Sequence, residues 1–276
     1  MTARGAILIT GCSSGIGLAA VRTMKARGWR VLATARKPDD LARLETEEGV
    51  EALHLELSDP ASVAACAEEA LTRTDGKLDA LFNNAAFGQI GAVEDLSADH
   101  LRRQIETNVI GTHELARRVL KSMRANGKGR IVQCSSVLGF VSGPYRGAYC
   151  ASKFALEALS DALRLELRDT PIRISIIEPG PIRSRFVASA LANFKATIDI
   201  DASPHREMYL ARLAVMEAGG KTAFKLEPEA VAAKLVHAVE SPRPKARYYV
   251  TTPTYLAAVM KRVLPTALLD RFLLKM

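Results

Sequence analysis

Tyr149 and Lys153 stand four residues apart at the start of a long predicted helix. Side chains at that spacing lie on one helical face, so the phenol and the ammonium project together. A free tyrosine has a pKa near ~10 and is a poor acid or base at neutral pH. A neighbouring ammonium stabilises the phenolate electrostatically. The pair therefore predicts a proton-transfer site, although the same spacing also arises by chance on helix surfaces.

A glycine-rich segment at residues 11–17 follows a short apolar run and precedes a helical pattern. Backbone amides of such a loop approach a pyrophosphate closely, and the helix N-terminus adds partial positive charge. The position between a strand and a helix predicts a dinucleotide-binding turn, where an isolated glycine cluster would indicate only a turn. The predicted contacts are Gly11, Ser13, Ser14, Gly15, Ile16 and Gly17.

The end of the second predicted strand bears on which dinucleotide binds. Folds that bind NAD usually place an acid there for the ribose 2′-hydroxyl, but this position is Ala35, followed by Arg36 and Lys37. Arginine recognises a phosphate with two parallel hydrogen bonds, and lysine adds a point charge. We therefore predict that NADP(H) is preferred over NAD(H). The alternative is that both cations only solvate a loop.

Further motifs appear in a fixed order between Ala6 and Ser184. They are Thr10–Gly17, Asn83-Asn84-Ala85-Ala86, Asn108, Ser135-Ser136, the Tyr149 and Lys153 pair, and Pro179–Ser184. Together they resemble the short-chain dehydrogenase/reductase family, in particular its bacterial 17β-hydroxysteroid/retinol dehydrogenase-like and aldehyde-reductase-type branch. Two positions differ: Ala86 replaces the usual glycine, and Glu56-Leu57 stands where the family commonly has Asp-Val.

The resemblance implies a role for each matched residue. Tyr149 is expected to act as general acid in reduction and as general base in oxidation. Lys153 is expected to hold the nicotinamide ribose, and Ser136 to bind the substrate oxygen together with Tyr149. Asn108 is expected to keep a water in the proton path. Beyond the glycine-rich loop, Arg36 and Lys37, the cofactor contacts expected are Glu56, Leu57, Asn83, Ala85, Tyr149, Lys153, Pro179, Gly180, Ile182 and Ser184.

Strand-like and helix-like segments alternate along most of the chain. The strand-like runs are Ala6–Thr10, Trp29–Ala35, Glu51–Leu57, Leu78–Asn83, Arg130–Ser135, Ile172–Ile177 and Arg247–Thr251. The helical patterns are Ile16–Arg27, Pro60–Arg73, Leu101–Asn126, Tyr149–Arg168 and Glu227–Glu240. This alternation predicts a single doubly wound α/β domain of the Rossmann type over residues 1–276, with a parallel sheet of about seven strands and helices on both faces.

Two segments interrupt this alternation. Residues 182–226 form a long excursion, which predicts a helical lid over the substrate. Its apolar residues suit an apolar aldehyde, ketone or alcohol, or else form the buried stripe of the lid helices. Residues 253–276 form a basic amphipathic tail. The tail either lies on an anionic membrane surface or packs on the domain or a second subunit, and we favour packing.

Composition bears on the possible partners. The residues from Arg243 onward contribute +6 of the net charge of +8. The sequence has no basic stripe with interleaved aromatic residues, so nucleic-acid binding is not expected. The four cysteines have no metal-ligand spacing, which predicts reduced thiols and no metal site. The first residues lack the pattern of a secretion signal, so a cytoplasmic protein is expected. The resemblance implies a homodimer or homotetramer formed through the helices 101–126 and 149–168.

The predicted activity is an NADP(H)-dependent interconversion of a carbonyl compound and its alcohol. Two other functions use a similar scaffold. A nucleotide-sugar epimerase shares the tyrosine and lysine but normally has a larger C-terminal substrate domain. A non-catalytic dinucleotide-sensing regulator usually loses Tyr149 or Lys153, and both are present here. The sequence therefore favours an oxidoreductase.

Overall fold

The computed structural model describes residues 4–217 and 224–274. Residues 218–223 of the predicted lid and 275–276 of the predicted tail lie outside this description, as do residues 1–3. One parallel sheet contains seven strands in the order β3-β2-β1-β4-β5-β6-β7, as the alternation predicts. The strands are β1 (Ala6–Ile9), β2 (Arg30–Ala35), β3 (Glu51–His54), β4 (Ala80–Asn83), β5 (Gly129–Cys134), β6 (Ile172–Glu178) and β7 (Arg247–Tyr249).

Helices cover both faces of the sheet. They are α1 (Gly15–Ala26), α2 (Pro38–Thr46), α3 (Pro60–Arg73), α4 (Ala98–Ile105), α5 (Thr112–Ala125), α6 (Gly147–Glu166), α7 (Phe186–Thr197), α8 (Arg206–Glu217), α9 (Glu229–Glu240), α10 (Thr252–Val263) and α11 (Thr266–Leu273). Within the described ranges, no helix has the length and apolarity needed to cross a lipid bilayer.

The strand β1 shows why the sheet needs helices on both sides. Ile7 and Ile9 belong to an apolar cluster with residues of α1 and α9, whereas Leu8 belongs to a second cluster with residues of α3 and α5. Successive side chains of a strand point to opposite faces, so a strand that is apolar throughout must be buried on both. The doubly wound arrangement is therefore confirmed.

The predicted helix over Leu101–Asn126 forms, but its pitch changes along its length. The segment Glu106–Gly111 between α4 and α5 has π-helical hydrogen bonding. Two contacts belong to this change of pitch. The Asn108 amide is hydrogen-bonded to the backbone of Phe87, and Gly111 approaches the Leu57 carbonyl so closely that a Cβ there would overlap it. The wider π-helical turn accommodates the buried side chain of Asn108 and the close approach of Gly111 to the Leu57 carbonyl.

The segment predicted as a lid contains two helices, and its role over a substrate stays a prediction. The helices α7 and α8 form most of the segment, and a bridge between Ile182 and Leu226 closes its base. Most apolar side chains of these helices do not face a ligand, because Phe194 and Tyr209 are buried in a cluster with the loop that follows β4. The alternative interpretation, a buried stripe, therefore applies to most of the lid. Ile182, Phe186 and Val187 are the apolar residues of this segment that line the main cleft within the described ranges.

The tail packs on the domain with one face, as the favoured alternative predicts. Ala257 of α10 is fully buried, and Phe272 and Leu273 of α11 pack against the turn that follows β5. The opposite face stays exposed and includes Val259 and Val263. The tail thereby contributes Leu273 and Leu274 to the wall of the main cleft.

Candidate active site

A cleft of about 930 Å³ lies along the carboxyl ends of the central strands. Its wall contains Gly11 after β1, Arg36 after β2, Ser135 after β5 and Pro179 after β6. In open parallel sheets, ligands bind at the carboxyl ends of the strands, at the point where the strand order changes direction. In this sheet that point lies between β1 and β4. The cleft has a volume suited to an extended ligand that spans several strand ends.

The glycine-rich loop has the backbone that a close anion contact requires. Gly11 and Gly15 adopt positive φ angles of 71° and 56°, which side chains other than hydrogen rarely allow. A Cβ on Gly17 would overlap the Gly11 carbonyl oxygen. Thr10 joins the loop to the segment after β4, because its hydroxyl accepts hydrogen bonds from the backbone amides of Asn84 and Ala85, each at 2.9 Å. These features fit the pyrophosphate of a dinucleotide at the start of α1.

Replacing Gly17 by alanine tests this loop. The added methyl group forces the loop away from α1, so we expect the dissociation constant for NADPH to rise by at least about tenfold and the melting temperature to fall. Isothermal titration calorimetry and thermal unfolding measure the two effects. Gly127→Ala is the control for backbone strain, because Gly127 has a φ angle of 65° but nothing within 4 Å of its added Cβ. It should lower the melting temperature without changing the affinity for NADPH. Unchanged NADPH affinity in Gly17→Ala would contradict the assignment of the loop.

Arg36 lines the cleft at the end of β2, and its guanidinium lies 3.4 Å from the Glu56 carboxylate. Burial opposes ionisation of Glu56, but hydrogen bonds from the Ser58 amide and hydroxyl and the charge of Arg36 keep its pKa below the usual value. Glu56 therefore stays charged and orients Arg36. Lys37 precedes α2 and does not line the cleft. The structure thus places only the first of the two predicted cations in the cleft wall.

Tyr149, Lys153 and Ser136 meet at the other end of the cleft. The Lys153 ammonium lies 5.8 Å from the centre of the Tyr149 ring and donates a hydrogen bond to the Cys134 carbonyl at 2.7 Å. Ser136 is hydrogen-bonded to the Tyr149 phenol. The Ser136 hydroxyl also accepts a hydrogen bond from the Leu138 amide at 3.1 Å, which fixes its position.

The electrostatics of Tyr149 differ from the sequence-based expectation. Burial raises the pKa of the Tyr149 phenol, while the hydrogen bond from Ser136 and the charge of Arg146 oppose the rise. Burial also lowers the pKa of Lys153. The protein alone therefore holds the phenol protonated, which is the form that donates a proton. Arg146, which the sequence reasoning missed, is the cation that favours the phenolate.

Asn108 lies in the π-helical segment and is buried. Its amide donates hydrogen bonds to the Phe87 carbonyl at 3.0 Å and to the Ser152 hydroxyl at 3.1 Å. These bonds tie the loop after β4 to α6, the helix that carries Tyr149 and Lys153. Asn108 does not line the cleft, so the structure gives it a positioning contact, and its expected water remains a prediction.

Most of the predicted site residues lie on the cleft wall. Those that do are Gly11, Ser13, Ser14, Gly15, Ile16, Arg36, Glu56, Leu57, Ala85, Ser136, Tyr149, Lys153, Pro179, Gly180, Ile182 and Ser184. Gly17, Lys37, Asn83 and Asn108 do not line it. Asn83 is buried at the end of β4 and hydrogen-bonded to the Thr112 carbonyl. Because successive residues of a strand alternate in direction, its neighbour Asn84 reaches the cleft instead.

A buried ionic network behind the catalytic end was missed by the sequence reasoning. Arg247 of β7 is paired with Glu157, with Glu178 at 2.6 Å and with Asp161 at 2.5 Å. Glu157 lies one helical turn after Lys153, and Glu178 directly precedes Pro179. Burial and the charge of Glu157 raise the pKa of Glu178 to about 8, although Arg247 opposes the rise. Arg247 thus faces three carboxylates behind α6, of which Asp161 is also paired with Arg164 at 3.0 Å.

This network predicts how stability depends on pH. The folded protein holds the Glu178 proton more tightly than the unfolded chain does, where the pKa is near 4.5. The protonated Glu178 side chain stabilises the folded state. This stabilisation is complete below about pH 4.5 and is lost as the pH rises through about 8. We therefore expect the melting temperature of the wild type to fall, relative to that of Glu178→Gln, between pH 5 and 9. Calorimetry at several pH values measures this difference.

Glu48→Gln is the matched control. The hydrogen bond from Arg22 lowers the pKa of Glu48, so the wild-type advantage over this variant is already complete above the acid range. We expect a constant difference in melting temperature between pH 5 and 9 for Glu48→Gln. A constant difference for Glu178→Gln as well would show that Glu178 ionises normally in the folded protein.

The comparisons with known proteins agree with this geometry. The family model for short chain dehydrogenases matches residues 5–194. The uncharacterized oxidoreductase YbbO of Escherichia coli strain K12 is 43% identical over 267 residues, covering 97% of this chain and 93% of that protein. Human 17-beta-hydroxysteroid dehydrogenase type 1 is 34% identical, covering 95% and 81%. The NADPH-dependent 3-dehydrocapnine reductase of Ornithobacterium rhinotracheale is 31% identical, covering 97% and 95%.

Solved structures give the same result. A short-chain dehydrogenase/reductase from Burkholderia phymatum in complex with NAD superposes with a TM-score of 0.78 at 27% identity. The alignment covers 93% of this chain and 92% of that one. The family match extends over the loop, the strand ends and the helix that together build the cleft. The chain therefore belongs to the short-chain dehydrogenase/reductase family of oxidoreductases.

Proposed function

We propose that this protein is an NADP(H)-dependent oxidoreductase that interconverts an aldehyde or ketone and the corresponding alcohol. The observation that carries the proposal is the meeting of Tyr149, Ser136 and Lys153 at one end of a cleft whose other end has the glycine-rich loop. When bound, the dinucleotide supplies or accepts the hydride. The protein supplies orientation and the proton.

Each residue has a distinct part in this reaction. In reduction the Ser136 hydroxyl donates a hydrogen bond to the substrate carbonyl oxygen, and the Tyr149 phenol gives that oxygen its proton. The raised pKa of Tyr149 keeps the proton available at neutral pH. Lys153, held by the Cys134 carbonyl, is aligned to bind the nicotinamide ribose and to favour the phenolate after transfer. Phe186, whose ring centre lies 5.4 Å from that of Tyr149, shields the reacting oxygen from water.

The preference for NADP(H) rests on Arg36. Its guanidinium lines the cleft beyond β2, and Ala35 offers no carboxylate to the ribose. One relative in the comparisons is named as NADPH-dependent, and one solved neighbour holds NAD, so the family accommodates both cofactors. The charge at this strand end is what favours the phosphorylated form.

An apolar helix face supports the proposed homodimer or homotetramer. Phe154, Leu159 and Leu165 of α6 are all exposed, as is Ile110 in the π-helical segment beside it. Exposed apolar residues grouped on one helix pair are typical of subunit interfaces. Sedimentation velocity of the wild type and of Leu159→Glu would measure this, since a charge in the interface shifts the protein toward the monomer.

The activity is tested by following NADPH absorbance with a panel of aldehydes and ketones. We expect at least one carbonyl compound to oxidise NADPH catalytically, with the alcohol as product. If none does although NADPH binds, the sensing regulator becomes the better interpretation. An epimerase would interconvert a nucleotide sugar without net change in NADPH. The described residues form one sheet, with no second domain that would bind such a substrate.

A further inference from the structure

Two arginines face the substrate end of the cleft. Arg146 lies three residues before Tyr149, and Arg212 lies on the lid helix α8. Both line the main cleft, and both also line a small adjoining pocket walled by Ile90, Phe194 and other apolar side chains. We refer to Arg146 and Arg212 as the arginine pair.

The backbone beside Arg146 is held in an unusual conformation. Tyr145 has a φ angle of 63°, in the left-handed region that residues other than glycine rarely adopt. Its ring is packed edge-on against His205 and Tyr209, with ring centres 5.5 and 5.7 Å away. The Arg212 guanidinium lies 4.6 Å from the centre of the same ring. Strain that the surroundings maintain occurs mainly at functional sites, and here it fixes both arginines relative to Tyr149.

The charges around the arginine pair are not balanced. Among the described residues that line the cleft, Glu56 is the only acid, and it pairs with Arg36 at the far end. Among the side chains of residues 4–215 and 224–274, no carboxylate forms an ion pair with Arg146 or Arg212. Burial and the charge of Arg212 lower the pKa of Arg146. Arg146 is half-buried, whereas Arg212 is exposed at the mouth of the cleft. Two neighbouring cations without a carboxylate partner favour an anion between them.

The nearby acids and the cofactor do not account for this anion. Glu94 is paired with His205, and Asp95 accepts hydrogen bonds from Ser203 and Tyr209. The cofactor's anionic groups have the glycine-rich loop and Arg36 at the ends of β1 and β2. The arginine pair stands beside Tyr149 instead, on the wall formed by the start of α6 and by the lid.

We propose that the substrate carries an oxyanion, a carboxylate or a phosphate, which the arginine pair binds while its carbonyl lies at Tyr149. The inference rests on the proposed function and specifies its substrate class. Phe186 and Val187 line the same cleft, and the Phe186 ring packs against Tyr149, so we expect an apolar chain to connect the carbonyl to the anion. The substrate is therefore an amphiphilic oxo acid. The apolar substrate expected from the sequence corresponds to the middle of this oxo acid, whereas the anion is at its end.

The test compares straight-chain ω-oxo acids of increasing length with their methyl esters, which lack the negative charge and carry one additional methyl group. NADPH consumption gives KM and kcat for each pair. We expect the best acid to have a KM at least about tenfold below that of its ester. ω-Oxo alkyl phosphates of matched length form a second arm, and their KM relative to the acids shows which oxyanion fits. Equal KM values for the acid, the phosphate and the ester would overturn the proposal.

Variants of the arginine pair connect the preference to the structure. In Arg212→Gln the ratio of KM between ester and acid should fall by about tenfold, and in Arg146→Gln it should also fall. Arg206→Gln is the matched control, because Arg206 lies on the same helix, pairs with Asp201 at 2.9 Å and does not line the cleft. We expect its ratio to equal that of the wild type. An acid preference that survives in both cleft variants would overturn the role of the arginine pair.

A binding experiment separates this inference from the proposed reaction. The protein loaded with NADP⁺ is titrated calorimetrically with a straight-chain monocarboxylate and with its amide. Tighter binding of the carboxylate, lost in Arg212→Gln, supports the anion site even if no carbonyl compound is reduced. Equal binding of both compounds, together with turnover of uncharged carbonyl compounds, overturns the anion site and leaves the proposed function intact.

Discussion

Replacing Tyr149 by phenylalanine is expected to lower kcat/KM for carbonyl reduction by about 10²–10⁴-fold, because the variant has no proton to give to the developing alkoxide. The Lys153 ammonium and the Ser136 hydroxyl remain in place, since the ring still fills the same buried position against Phe186. We therefore expect the dissociation constant for NADPH to stay within about threefold of the wild type. Steady-state kinetics and calorimetry measure the two quantities.

The control for this variant is Tyr255→Phe, which removes a hydroxyl from a half-exposed tyrosine on α10, outside the cleft wall. It should leave kcat/KM unchanged. Activity of Tyr149→Phe close to that of the wild type would require another proton donor. A large loss of NADPH affinity in this variant would instead mean that the phenol serves mainly to bind the cofactor.

Replacing Arg36 by aspartate is expected to reverse the cofactor preference, with a change of at least about 10²-fold in the ratio of kcat/KM for NADPH to that for NADH. The variant loses a charge-assisted contact with the 2′-phosphate. It also places an acid where NAD-binding folds hold the ribose 2′-hydroxyl. Glu56 loses its cationic partner in the same variant, so its negative charge near the phosphate is no longer compensated.

Lys37→Asp makes the same charge change one residue later. Because Lys37 does not line the cleft, we expect a clearly smaller change in the cofactor ratio. Equal effects of the two variants would mean that only the general charge of this loop matters. Undiminished NADPH preference in Arg36→Asp would rule out the 2′-phosphate contact altogether.

Residues that are close in sequence were predicted well. Tyr149 and Lys153 are one helical turn apart, so their proximity depends only on the helix forming, and helical periodicity is local. The glycine-rich loop is likewise a local motif between a strand and a helix, and most of its predicted residues line the cleft. The alternation of patterns was enough to predict seven parallel strands, because strands buried on both faces are apolar throughout.

Predictions that depended on an exact register were weaker. Asn84 rather than Asn83 reaches the cleft, since a shift of one residue along a strand reverses the side-chain direction. In the π-helical segment, Asn108 forms hydrogen bonds with the backbone of Phe87, which is distant in sequence. No periodicity in the helix itself indicates such a partner.

The sequence by itself determined the fold class and the family, and it indicated the proposed pair of residues for proton transfer, because each depends on local spacing and on the order of the motifs. The tertiary structure alone brought Arg146, which precedes α6, and Arg212 on α8 to one wall of the cleft. It also placed Arg247 of β7 between Glu157, Glu178 and Asp161. Charges far apart in sequence interact only after the chain has packed, since their energy depends on distance in space and on burial.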